Sequence, residues 1–84
     1  MIRIVSHNWN MSQDNRLINR EILAKNIKTL RLKNNIRREE LSLLLGFDNS
    51  YISKLEKGKI NITIDKLTLL ADYFNVGIGN LFKS

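Results

Sequence analysis

Eighty-four residues, 43% hydrophobic and 26% charged, describe one globular domain rather than a disordered chain or a two-domain protein. With no cysteine and a single histidine, His7, the composition argues against a disulfide framework, a zinc site or any other bound metal, and no cofactor is expected. The net charge of +6 suggests an anionic partner, and no apolar run approaches the ~20 residues that span a bilayer, so a soluble protein without a membrane partner is expected.

Residues 1–13 read as an N-terminal extension. Ile2, Ile4 and Val5 either form a short strand or fray as a terminus. Residues 14–84 read as the folded domain. Ser12 or Asp14 is placed to cap a first helix running to about Lys33. Ile18, Ile22, Leu23, Ile27 and Leu30 recur at three- and four-residue steps and predict its buried stripe. Asn34 and Asn35 end it, because asparagine tolerates the left-handed conformation of a helix C-terminus. A second helix is predicted over 38–45, closed by Gly46, with Phe47 entering the core. Asp48 is a strong N-cap for a third helix over 49–57, with Ile52 and Leu55 inward and Gly58 as its terminator. A loop over 59–62 leads to a fourth helix, capped by Thr63 and running to Phe74, with Ile64, Leu67, Leu70, Ala71 and Phe74 as its inner face. A fifth short helix or turn carries Ile78, Leu81 and Phe82. The predicted fold class is all-α, a compact five-helix domain.

Residues 38–57 are the most informative stretch: two short helices joined by a tight turn at Gly46, the second faced with small polar and basic side chains. That is the pattern of a helix-turn-helix, whose second helix lies in the major groove of DNA. Charge agrees, since residues 25–59 hold nine basic side chains against four acidic ones, five of the six net charges. On the third helix Asn49, Ser50, Ser53 and Lys54 share a face opposite Ile52 and Leu55. Asparagine pairs with adenine, serine with several bases, and lysine reaches guanine or a phosphate. Tyr51 offers a hydroxyl to a phosphate and a ring edge to a thymine methyl. Arg37 and Arg38 open the second helix, and Lys57, Lys59 and Asn61 follow the third; these five are the candidate phosphate contacts, fixing register without reading sequence. The competing reading of each is a solvated surface side chain.

From about Ile22 to Phe82 the sequence resembles the lambda-repressor-like helix-turn-helix domains, the XRE family. The resemblance rests on Leu41-Ser42, Gly46, Ile52, Leu55, the Glu56-x-Gly58 closure and the Leu-x-x-Leu-Ala-x-x-Phe of the fourth helix. Tyr51-Ile52-Ser53 and Asn61-Ile62-Thr63 are most similar to controller proteins of restriction–modification systems, and small phage and plasmid repressors share much of this pattern. The resemblance implies a structural pair of Arg31 with Glu56 and a structural turn through Gly46 and Asp48. It also implies a homodimer contact at Ile78, Leu81 and Phe82, for which the other reading is a cap on the monomer core. Three positions depart from the family. Arg37 and Arg38 stand where Thr-Gln or Ser-Gln is common, so the second helix lacks a good N-cap. Leu43 and Leu44 stand where polar residues are common, and Gly77 where Ser, Thr or Pro often opens the last helix.

The function implied is sequence-specific transcriptional regulation. The protein would be cytoplasmic and nucleoid-associated, encoded by a bacterium or phage, and would bind double-stranded DNA at a palindromic operator as a homodimer. The alternative is an antitoxin that also binds DNA, with the N-terminal extension gripping a protein partner. An RNA- or protein-binding module is a further reading. Catalysis is disfavoured, since Glu39 and Glu40 are adjacent and diverge on a helix and His7 has no plausible partner.

Overall fold

Helix α1 (Asn15–Lys33) begins where Asp14 turns its carboxylate back on the chain, accepting the Arg16 backbone N–H at 2.9 Å. The Arg16 side chain closes on the same carboxylate at 2.9 Å, and these bonds hold the Asp14 carboxyl below its ordinary range. The computed structural model describes residues 14–84. The predictions made for residues 1–13, including a capping Ser12 and a grip on a protein partner, lie outside the described residues.

The four α-helices among the described residues end by one mechanism. A residue with positive φ follows each helix: Asn35 (54°), Gly46 (80°), Gly58 (72°) and Asn75 (56°). The N–H one residue beyond then reaches back to a carbonyl in the last turn. Ile36 bonds Arg31 O at 3.2 Å, Phe47 bonds Ser42 O at 2.8 Å, Lys59 bonds Lys54 O at 3.2 Å, and Val76 bonds Ala71 O at 3.0 Å. This is the Schellman closure, which satisfies carbonyls otherwise left without partners. It also turns the chain sharply, which keeps α1, α2 (Arg38–Leu44), α3 (Tyr51–Glu56) and α4 (Ile64–Phe74) in a small volume.

The core collects one face from each element: Leu23 and Ile27 of α1, Leu41 of α2, Ile52 and Leu55 of α3, and Leu67, Leu70, Ala71 and Phe74 of α4. Ile36 and Phe47 enter it from the turns, as the sequence led one to expect. Helix α1 packs against α3 and the C-terminal segment, while α2 packs against α3. Three predicted core positions lie outside it, of which Ile22 is half-buried. Ile18 is 36% exposed, because the first turns of α1 extend beyond the elements it packs against. Ile64 is 68% exposed, since it is the first helical residue of α4 and the inner stripe starts a turn later at Leu67. Leu43 and Leu44 are also exposed.

The fifth helix is not an α-helix. Ile78–Phe82 is a single 3-10 segment, so the described residues form four α-helices and a 3-10 closure. Its turn is made by the Asn80 N–H on Gly77 O, at 3.0 Å. Asn26 of α1 clamps this segment, its amide donating to Leu81 O at 2.7 Å and Lys83 O at 2.9 Å. Leu81 is thereby driven fully into the core, at 0% exposure. The expectation that Leu81 lines a dimer contact is corrected on that ground, because it has no surface left to offer. Ile78 and Phe82 remain half-buried.

No helix among the described residues is long and apolar enough to cross a membrane. No group of three or more metal-ligating side chains occurs among them.

Candidate nucleic-acid interface

The interface is built on the α2–turn–α3 unit, and its rigidity starts with a buried serine. Ser42 lies at 0% exposure on the inner face of α2. Its hydroxyl donates to Arg38 O one turn back, at 3.0 Å, and accepts the Ile52 N–H of α3, also at 3.0 Å. The Ile52 N–H is one of the first amides of α3, which no carbonyl of the helix itself can serve. The expected cap, Asp48, does not serve it either. Helix α3 begins at Tyr51 rather than 49, its N-cap position is Ser50, and no side chain of its own caps it. Asp48 contributes its backbone carbonyl, which accepts the Tyr51 N–H at 3.0 Å in the turn leading in. Ser42 therefore performs from α2 the capping that Asp48 was assigned. The available signal in the sequence was a hydroxyl at an inward register of an otherwise apolar helix face.

This bond makes a direct prediction. Ser42→Ala leaves the Ile52 amide buried without a partner and should lower stability by about 1–3 kcal/mol. Urea unfolding followed by circular dichroism reads the change, and an unaltered midpoint would show that water replaces the hydroxyl.

At the other end of α3 three charged side chains meet. Glu56 accepts from Arg31 Nε at 2.6 Å and from its Nη2 at 3.3 Å. Both side chains are nearly inaccessible, at 4% and 6% exposure. The remaining end of the Arg31 guanidinium donates to Ile36 O at 3.0 Å, so α1, the chain leading into α2, and α3 are tied at one point. Arg38 joins through its Nε, 3.0 Å from Glu56 Oε1, with its side chain 46% exposed. The opening of α2 is otherwise weakly capped. Arginine has no side-chain acceptor to offer, so Arg37 takes part through its backbone, its carbonyl accepting the Leu41 N–H at 2.9 Å and its own N–H lying 3.4 Å from the Glu40 carboxylate.

On the outer side, Asn49 and Lys54 are exposed and Ser50, Tyr51 and Ser53 are half-buried, opposite the fully buried Ile52 and Leu55. Asn49 is not free-standing, since its amide donates to Glu39 of α2 at 3.4 Å. That bond orients the amide and was not foreseen from the sequence. Tyr51 is more deeply engaged than a surface contact requires. Its ring lies 4.7 Å from that of Phe47, and the Lys66 ammonium of α4 sits 4.7 Å above it. Burial raises the Tyr51 hydroxyl above its ordinary range, so it stays a protonated donor. Lys57, Lys59 and Asn61 are exposed along the segment after α3. The arrangement is a short polar helix face, braced from behind by a hydroxyl and an ion-pair cluster and flanked on both sides by cations. Chemically it is suited to hydrogen-bonding flat, edge-on acceptors and donors and to neutralising phosphates.

Comparison with known proteins agrees with this geometry. A family model described as helix-turn-helix matches residues 27–81. Control protein C.SmaI of Serratia marcescens is 34% identical over 62 residues, which cover 74% of each chain. A solved structure titled as the hypothetical transcription factor NHTF from Neisseria superposes with a TM-score of 0.73 at 28% identity, covering 77% of this chain and 75% of that one. The matched model spans α2, the turn, α3 and α4, the elements that hold the braced polar face. On these grounds the chain belongs to the XRE-type helix-turn-helix family of DNA-binding transcription regulators.

Proposed function

We propose that the protein is a controller-type regulator of a restriction–modification system that binds a palindromic operator as a homodimer, with residues 49–57 reading the major groove. The observation that carries this reading is the outward side of α3 and of the turn leading into it, where Asn49, Ser50, Ser53 and Lys54 lie opposite a fully buried Ile52 and Leu55. A helix that needed only solubility would not require its orientation to be held from both ends. Likeness to a control protein supports the controller assignment.

One α3 is short and reads few base pairs. Two copies related by a two-fold axis would place their helices about 34 Å apart, one turn of DNA, and so read a symmetric site. Ile78 and Phe82, half-buried at the C-terminal closure, are the side chains assigned to that contact. Phe82→Asp is expected to give monomers in sedimentation velocity, and an intact dimer would overturn the assignment.

The deciding measurement is fluorescence anisotropy on duplex from the gene's own upstream region against a shuffled duplex, at two salt concentrations. A preference of about a thousandfold or more is expected of a specific regulator. Equal, steeply salt-dependent binding to both duplexes would overturn sequence-specific regulation. Within that assay Asn49→Ala should relax preference at individual base pairs by about 1–3 kcal/mol. Lys57→Ala should weaken all duplexes alike and reduce the salt slope by about one. Reversal of these two outcomes would overturn the division into reading and gripping residues.

A further inference from the structure

Glu56 sits behind the interface, almost sealed from solvent at 4% exposure, yet one of its partners is on the surface. Arg31 alone already balances its charge, through two hydrogen bonds and from full burial. The second guanidinium, that of Arg38, brings the cluster to two cations against one anion. The surplus charge belongs to the outer member, which is 46% exposed. Arg38 engages Glu56 through Nε only, at 3.0 Å. Among the described residues its two terminal amino groups make no hydrogen bond. Those two groups are the fork with which arginine grips the paired oxygens of a phosphate. An arginine fixed at Nε has lost most of its rotamer freedom while its fork stays open, so less entropy remains to be lost when an anion arrives. Arg38 is the first residue of α2 and Glu56 the last of α3, so the Nε bond sets the fork at the C-terminal end of the reading helix.

We propose that Glu56 is a positioning residue for DNA binding: it holds Arg38 by Nε so that the open end of the guanidinium meets a backbone phosphate next to the reading helix. This rests on the DNA-binding reading above and adds to it a role for a buried carboxylate that touches no DNA. Lysine at position 38 would keep the charge. It could not hold Glu56 and present a two-pronged donor at once.

The test measures duplex affinity of the full chain by anisotropy for the unsubstituted protein, Arg38→Lys, Arg38→Ala, Glu56→Gln and the Arg38→Ala/Glu56→Gln pair, with folding of each checked by circular dichroism. Arg38→Lys should weaken binding about tenfold although charge is conserved, as expected when a bidentate charge-assisted contact is lost. Glu56→Gln should weaken binding in the Arg38 background and have no further effect in the Arg38→Ala background. A Glu56→Gln loss of equal size in both backgrounds would show that Glu56 acts through general stability and would overturn the proposal. Arg38→Lys binding as well as the unsubstituted chain would overturn it too, and that comparison stands even where Glu56→Gln fails to fold. An unsubstituted chain that binds no duplex would overturn the DNA-binding reading and this proposal together. Binding that is intact but additive across the set would overturn this proposal alone.

Discussion

Glu56→Ala is expected to leave much of the protein unfolded at room temperature. The substitution removes the carboxylate from an Arg31 side chain only 6% exposed, leaving its guanidinium with the Ile36 carbonyl as its one remaining partner among the described residues. Breaking a buried pair on one side costs about 3–5 kcal/mol, because the stranded charge keeps its desolvation penalty and loses its attraction. A domain of this size has roughly 3–5 kcal/mol of stability in total. The loss therefore matches the whole, and thermal and urea denaturation should show a collapsed midpoint or no folded baseline. The double variant Arg31→Met/Glu56→Leu should recover most of the stability, since replacing both charges by apolar side chains removes the desolvation penalty along with the attraction. A normal midpoint for Glu56→Ala would mean that solvent reaches Arg31, against its observed burial.

Leu81→Ala should cost about 2–5 kcal/mol of monomer stability, the range for a large side chain removed from a packed core. Leu81 is fully buried and its backbone is clamped by Asn26, so its surroundings have little room to collapse into the space left behind. The effect should be independent of protein concentration. That separates it from Phe82→Asp, whose consequence lies in association. A Leu81→Ala variant with a normal monomer midpoint and a weakened dimer would restore the interface role that the structure removes. The two adjacent residues thus have opposite assignments, set by which way a five-residue 3-10 segment turns its side chains.

Much of the scaffold was legible because helix ends are local chemistry. Asn35, Gly46, Gly58 and Asn75 take positive φ because a left-handed residue is needed to close each helix and these two residue types adopt it at least cost. Asp14 and Thr63 cap because a short oxygen-bearing side chain reaches the amide two or three residues on. The same reasoning misplaced the cap of α3. Asp48 has the right chemistry at nearly the right position, but a hydroxyl from the neighbouring helix reached the amide instead. The periodicity of α1 and α4 identified their inner faces and overextended both, at Ile18 and Ile64, because an amphipathic pattern does not say where the opposing surface stops.

The candidate interface divides along the same line. The sequence by itself determined the all-helical class, the two-helix unit around Gly46, the polar face of α3 and the cationic flanks, since each depends on residue type, spacing and charge within a few turns of chain. Only the tertiary structure decided that Ser42 caps α3, that Glu39 orients Asn49, that Lys66 covers the Tyr51 ring, that Arg38 joins Arg31 on Glu56, and that Leu81 is core. These partners lie 10 to 25 residues apart along the hydrogen-bonded pairs, and 55 apart at the Asn26 clamp. Their meeting is set by the angles at which helices cross, and those angles come from the packing of the whole core.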